Sequence, residues 1–290
     1  MESFVEHLAE LKKKAVELRI ALLNTLHTAQ SGHLGGSLSV MEILTACYYG
    51  RLGERPVMYF DPAKPGSEEQ DYFVLSKGHA SAALYTVLAD LGFFPADELK
   101  HYRQARSLLQ AYPVKKIPGV ALSTGTPGYG LAAAMGLAMA LKMDKRPNRV
   151  ICLAGDGELQ DGQFWEAVLI GSQYKLDNLT LIVDWNGLQM DGSVRSVVGI
   201  EPLADKLEAF GWKTVPVTNG HNFEDLLVGI EKAYETQRKP TALIARTVKG
   251  KGVAFAENKP FYHAEVLSEE EMDEALPVLE RELASYESQE

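Results

Sequence analysis

The sequence predicts an α/β fold, a parallel sheet flanked by helices on both faces. Three observations carry this. Short β-branched runs recur between helical patterns along the chain. No internal repeat and no Ser/Gly linker divides it into two cores. A buried run at 150–154 leads straight into a Gly-Asp-Gly turn and then a helical pattern, as at the carboxyl edge of an open sheet.

Near the N-terminus, Leu8, Leu11, Ala15, Leu18 and Leu22 follow a helical spacing, unlike the apolar core of an export signal. Strands are expected at 72–75, 150–154, 179–184, 214–217 and 242–246. A helix is expected at 131–141, opened by Gly125, Gly128 and Gly130. Asn222 reads as the N-cap of another, with Glu224 and Asp225 in its first turn and Leu226, Leu227, Ile230, Ala233 and Tyr234 on one face. That helix is expected to end near Arg238 and Lys239, stopped by Pro240. Residues 1–265 are expected to form one domain, with 266–290 as its acidic, peripheral C-terminal helix.

Composition narrows the function. Among 290 residues, 29 Lys and Arg stand against 39 Asp and Glu, a net charge of −10 with no basic block, which argues against nucleic acid as a partner. The longest apolar stretch, near 137–141, falls far short of the roughly 18 residues of a membrane span. Cys47 and Cys152 lie in apolar segments and suggest packing in a reducing compartment, so a cytoplasmic location is expected.

Asp156 of the Gly155-Asp156-Gly157 turn can ligate a divalent cation, while its glycines let the backbone approach a diphosphate. Asn186 follows at 186 − 156 = 30 positions, the length of one helix plus one strand, so both side chains emerge at neighbouring strand ends. With the Leu188 carbonyl they form a hard oxygen set suited to Mg²⁺ or Ca²⁺. Alone, Gly-Asp-Gly is usually just a turn. Strand, turn, helix, strand and Asn at this separation resemble the diphosphate motif of transketolases and pyruvate dehydrogenases.

Further segments resemble transketolase in the same order: Ser31-Gly-His33-Leu-Gly-Gly-Ser37, Leu75-Ser-Lys-Gly-His79-Ala, Pro118 to Gly130 and Thr247-Val-Lys249-Gly-Lys-Gly252. The resemblance implies the thiamine-diphosphate-binding fold of a PP domain, with thiamine diphosphate and Mg²⁺ or Ca²⁺ as cofactors. His33, His79 and His263 would lie near the reacting carbon, the substrate oxygens or the cofactor diphosphate, and Lys249 would face the diphosphate or the donor hydroxyls. Asp161 and Glu166 would join a chain of acids across a two-fold interface. The cofactor would rest on His79, Gly125, Thr126, Pro127, Gly128, Gly155, Asp156, Gly157, Glu158, Asn186 and His263, and the metal on Asp156, Asn186 and Leu188. Each histidine read alone is more often structural than catalytic; His27, His101 and His221 match no motif and are read as structural.

Full-length transketolases carry a pyrimidine-binding domain after the portion matched here. The resemblance therefore implies a partner subunit with that domain, two copies of each chain, a sugar substrate, and inactivity of this chain alone. Two departures bear on the substrate. Ala111-Tyr112-Pro113 stands where the family has Gly-His-Pro, and Gly125-Thr126-Pro127-Gly128-Tyr129-Gly130 where it has Gly-Ser-Leu-Gly-Gln-Gly. An altered sugar phosphate or a sulfosugar is one expectation. An α subunit of a 2-oxo-acid dehydrogenase, a deoxyxylulose-phosphate synthase fragment and a non-catalytic scaffold are the alternatives; the absence of both nucleotide-binding glycine motifs disfavours a nucleotide site.

Overall fold

A computed structural model describes residues 2–288, so the last two residues of the expected C-terminal helix lie outside it. Five strands form one parallel sheet: β1 (Tyr72–Leu75), β2 (Val150–Gly155), β3 (Leu179–Trp185), β4 (Lys213–Val217) and β5 (Thr241–Arg246), in the order β1-β2-β3-β5-β4. All five expected strands are present, within a residue at either end. Strand side chains alternate between the faces of a sheet, and here both faces are apolar. Ile151, Leu153, Ile182 and Leu243 enter one core; Val150, Cys152, Leu181 and Val183 enter the other. The near-continuous apolar strands of a sheet covered on both sides follow from this.

Helices α1 (Glu2–Ala29), α2 (Leu34–Leu38), α3 (Met41–Tyr49) and α4 (Ser81–Asp90) contribute to the first core. The second is closed chiefly by α5 (Tyr129–Met143), α6 (Gly162–Gln173), α7 (Val194–Val198) and α8 (Leu203–Ala209). Two later helices, α9 (Phe223–Glu235) and α10 (Glu269–Glu287), return to the first core. Asn222 does cap α9, its side chain accepting from Asp225 N at 3.1 Å. The helix stops at Glu235, earlier than expected, because Thr236 turns extended before Pro240 begins the approach to β5.

Helix α10 starts at a capping box between Ser268 and Glu271 and buries Met272, Ala275 and Leu279 in the first core. Both cysteines are free and buried. Among the described residues no helix is long and apolar enough to cross a membrane.

Candidate active site

In-register pairing of β2 with β3 sets Gly155 beside Asp184, so the segments that leave these strands emerge side by side. Asp156 follows β2, Asn186 follows β3, Lys77 follows β1 and Lys249 follows β5. A cavity of about 220 Å³ opens at these carboxyl ends. Lys77, His79, Asp156, Asn186, Lys249 and His263 all line it.

Asp156 is nearly fully buried, at 2% exposure. Its Oδ1 accepts from Gly157 N at 2.8 Å and its Oδ2 from Gly187 N at 2.5 Å. Burial, with the charge of Asp184, pushes its carboxyl up to about 7, against the pull of those two amides. Asp184, fully buried, is answered by the Lys77 ammonium and by Thr247 Oγ1, Ser39 Oγ at 2.7 Å and Asn186 Nδ2 at 2.9 Å. Burial would raise its carboxyl too, but Lys77 holds it below the usual carboxylate range.

A second cation would satisfy Asp156. Asn186 lines the same cavity with its amide nitrogen held on Asp184, while its Oδ1 accepts from Leu188 N at 3.0 Å. A buried carboxylate hydrogen-bonded, among the described residues, only to amides, with Lys77 acting on it through charge alone, an amide oxygen and the nearby Leu188 carbonyl are the donor set a hard divalent ion takes, leaving further positions for ligand oxygens. These residues fit a divalent cation, which Asp156, Asn186 and the Leu188 carbonyl would hold.

Three imidazoles cluster here, two of them, His79 and His263, in the cavity lining. The ring of His79 lies 5.5 Å from that of His33 and 5.1 Å from that of His263, and His33 and His263 are 5.7 Å apart. Burial, with the positive charges of Arg103, Lys249 and Lys77, lowers His33 to about 4. Burial, then Lys249, lowers His263 to about 3; His79, buried next to Lys77, also falls well below its ordinary value. All three are neutral at physiological pH. Lys249 Nζ lies 2.9 Å from His263 Nδ1 and donates to Leu188 O at 3.4 Å. An ammonium has no acceptor to offer, so Nδ1 accepts and the proton of neutral His263 resides on Nε2. Burial and Lys77 lower Lys249 to about 8.

Glycines make room for this cluster. A Cβ on Gly36 would lie 2.8 Å from His79 Nε2, and one on Gly35 3.0 Å from Lys249 Cγ. Neither Gly155 nor Gly157 takes a positive φ; a Cβ on Gly157 would lie 3.2 Å from Gln189 Cβ, while one on Gly155 would come no nearer than 3.7 Å to Lys77.

The expected residues are not all in one place. Gly125, Pro127, Gly155, Gly157, Glu158 and Leu188 line the cavity together with the residues above. Thr126 and Gly128 are not among the lining residues, though Gly128 N donates to Glu158, and His33 joins through its ring contacts. Glu158 turns inward: it accepts from Ser76 Oγ at 2.7 Å, Gly155 N at 2.8 Å and Gly128 N at 3.1 Å, bracing both glycine turns with its oxygens. Asp161 and Glu166 are exposed on the first turns of α6 and do not reach the cavity. Sequence reasoning passed over Asp184 and left Lys77 inside a motif without a role of its own. A carboxylate ending an apolar strand two positions before Asn186 was the available signal.

A family model described as transketolase, thiamine diphosphate binding domain, matches residues 11–282. The chain is 37% identical to the 6-deoxy-6-sulfo-D-fructose transketolase subunit SqwG of a Clostridium species, over 96% of this chain and 98% of that one. It is 39% identical to an apulose-4-phosphate transketolase subunit from Actinobacillus succinogenes, over 94% and 96%. Human transketolase matches at 37% identity over 90% of this chain but 41% of its own length, so the chain spans about two-fifths of that relative. The crystal structure of Campylobacter jejuni transketolase superposes with a TM-score of 0.84 at 29% identity, covering 98% of this chain and 48% of that one. With the match spanning nearly the whole chain, fold and sequence agree that it belongs to the transketolase family, in its thiamine-diphosphate-binding domain.

Proposed function

We propose that the chain is the diphosphate- and metal-binding subunit of a cytoplasmic two-component transketolase, which moves a two-carbon ketol unit from a ketose to an aldose. One observation carries this reading: a buried Asp156, hydrogen-bonded to backbone amides and in no direct ion pair among the described residues, shares a cavity with Asn186, Lys249 and neutral His79 and His263. Asp156, the Asn186 amide oxygen and the Leu188 carbonyl would hold Mg²⁺, and Lys249 and the glycine turns would face the diphosphate. When bound, thiamine diphosphate supplies a nucleophilic carbon and an electron sink.

The chain's own contribution is to bind, orient and exchange protons at oxygen atoms. Neutral imidazoles can donate from one nitrogen and accept at the other, and His263, with its proton on Nε2, donates from there. His33 and His79 add two more such groups beside it. Residues 1–265, with the helix at 266–290 packed on them, would form this subunit.

A partner subunit with a pyrimidine-binding domain would complete the site, two copies of each assembling about a two-fold. Relatives of nearly equal length are named as subunits, and α6 leaves Asp161, Glu166, Leu169 and Ile170 exposed for such contacts. Ketol transfer should be absent from the purified chain and present once the partner is added. Turnover by the chain alone, or none in the mixture with any ketose, would contradict the proposal.

Tyr112 favours a second, narrower reading: an altered sugar. A Cβ on Gly125 would lie 3.0 Å from Tyr112 Cγ, and one on Gly78 3.1 Å from its Cδ1, so the Tyr112 ring packs over Gly125 and over Gly78, the residue before His79. Similar subunits are named for a sulfosugar and for apulose 4-phosphate. Tyr112→His should change the relative rates on a panel of ketose donors; unchanged ratios would defeat this reading.

A further inference from the structure

Away from the cavity, an arginine, a glutamate and a histidine are buried together between α1, α3 and the turn before α9. Arg19 of α1 pairs with Glu42 Oε1, and His221 Nδ1 lies 2.8 Å from Glu42 Oε2. All three are at most 9% exposed, and none lines the cavity around Asp156. Both outward atoms of the cluster point at one segment. His221 Nε2 accepts the Val248 amide at 2.8 Å, and Arg19 Nε donates to the Lys251 carbonyl at 3.2 Å. Because Nε2 accepts, the His221 proton must sit on Nδ1, where it is donated to Glu42.

Between those two anchors lies Lys249. Its ammonium reaches Leu188 O and His263 Nδ1, and its backbone carbonyl accepts from Asn258 N at 2.9 Å. Gly252 is part of the same fit, since a Cβ there would come within 2.9 Å of the Arg19 side chain. A buried ion pair needed only to tie α1 to α3 would end at Arg19 and Glu42. This one continues through an imidazole into the backbone on either side of a cavity lysine.

We infer that Arg19, Glu42 and His221 are positioning residues, a buried relay that fixes the 248–251 backbone and through it the Lys249 ammonium. The inference rests on the proposed role of Lys249 toward a diphosphate, but its structural half stands without it. Outer supports of this kind typically change ligand affinity about 10- to 100-fold when removed.

The test uses His221→Phe, which keeps the Arg19–Glu42 pair and fills the ring's volume, and His221→Gln, whose Oε1 can take the Val248 amide. In the full chain, amide exchange at 248–252 should accelerate about tenfold or more in His221→Phe and nowhere else, and His221→Gln should restore most of the protection. In the complex with the partner subunit, His221→Phe should weaken Mg²⁺-thiamine diphosphate binding about tenfold. It should have no further effect in a Lys249→Met background, since both changes would remove the same interaction. Unchanged exchange at 248–252, acceleration spread over the whole chain, or full additivity with Lys249→Met would overturn the inference. A wild-type complex that binds no cofactor would defeat the proposed function instead, and the exchange measurement would then decide the relay by itself.

Discussion

Depressed basicity is the shared property of the three imidazoles, and it has a direct consequence. Burial and the neighbouring cations keep His33, His79 and His263 neutral, so their ring signals should not titrate between pH about 5 and 8, where an ordinary histidine does. An NMR titration showing any of them protonating near pH 6.5 would remove the electrostatic basis of the cluster. Glu42 behaves oppositely. Burial alone would raise it, but Arg19 and His221 hold its carboxyl at about 2, against 4.5 in an unperturbed chain. Its ionic contacts therefore stabilise the fold fully above pH 4.5, and that contribution is lost as the pH falls towards 2. Glu42→Gln should cost about 3 kcal/mol at pH 7, and the gap to wild type, followed by denaturant unfolding, should narrow steadily below pH 4.5. Lys77→Met should cost about 3–5 kcal/mol, because Asp184 would be left buried without its cation; a loss below 1 kcal/mol would show that Asp184 is not charged there.

Elements bring these residues together through unusually close contacts. The first turn of α5 rests on the end of β1, where a Cβ on Gly130 would lie 2.5 Å from Ser76 Cα. Backbone cannot yield as a side-chain tip can, so Gly130→Ala should push α5 away, cost about 1–3 kcal/mol and break the Ser76–Glu158 bond that braces both glycine turns. Thermal unfolding indistinguishable from wild type would show that the helix has slack. Elements with a strong local signal were legible in the sequence: the strands from β-branched runs, α9 from its Asn222 cap. Boundaries set by tertiary packing were not, and the early end of α9 is one case. Asp156 and Asn186 could be placed together because strand ends align in a parallel sheet. The inward turn of Glu158 could not, since it depends on where the 124–128 loop crosses over β1. His221 read as structural because its partner Glu42, and the Arg19 paired with Glu42, stand about 180 and 200 positions earlier in the chain.

At the scale of the whole molecule, the chain presents a cavity at the carboxyl ends of its strands and an exposed α6 surface, the arrangement that the proposed function asks of one component of a shared site. The family resemblance was legible because its motifs sit at the carboxyl ends of strands, where function constrains residue type most tightly. Substrate choice was less so: Tyr112 departs from the family pattern without naming a sugar. The proposed function requires above all that Asp156 and Asn186 grip a cation that bridges the cofactor's phosphates. Calorimetric titration of thiamine diphosphate into the chain with its partner, with and without Mg²⁺, tests this most directly. Binding should require the metal, and Asp156→Asn should weaken it roughly 30- to 5,000-fold, the range for removing one partner of a buried charge pair. Equal affinity with and without Mg²⁺, or in wild type and variant, would contradict it.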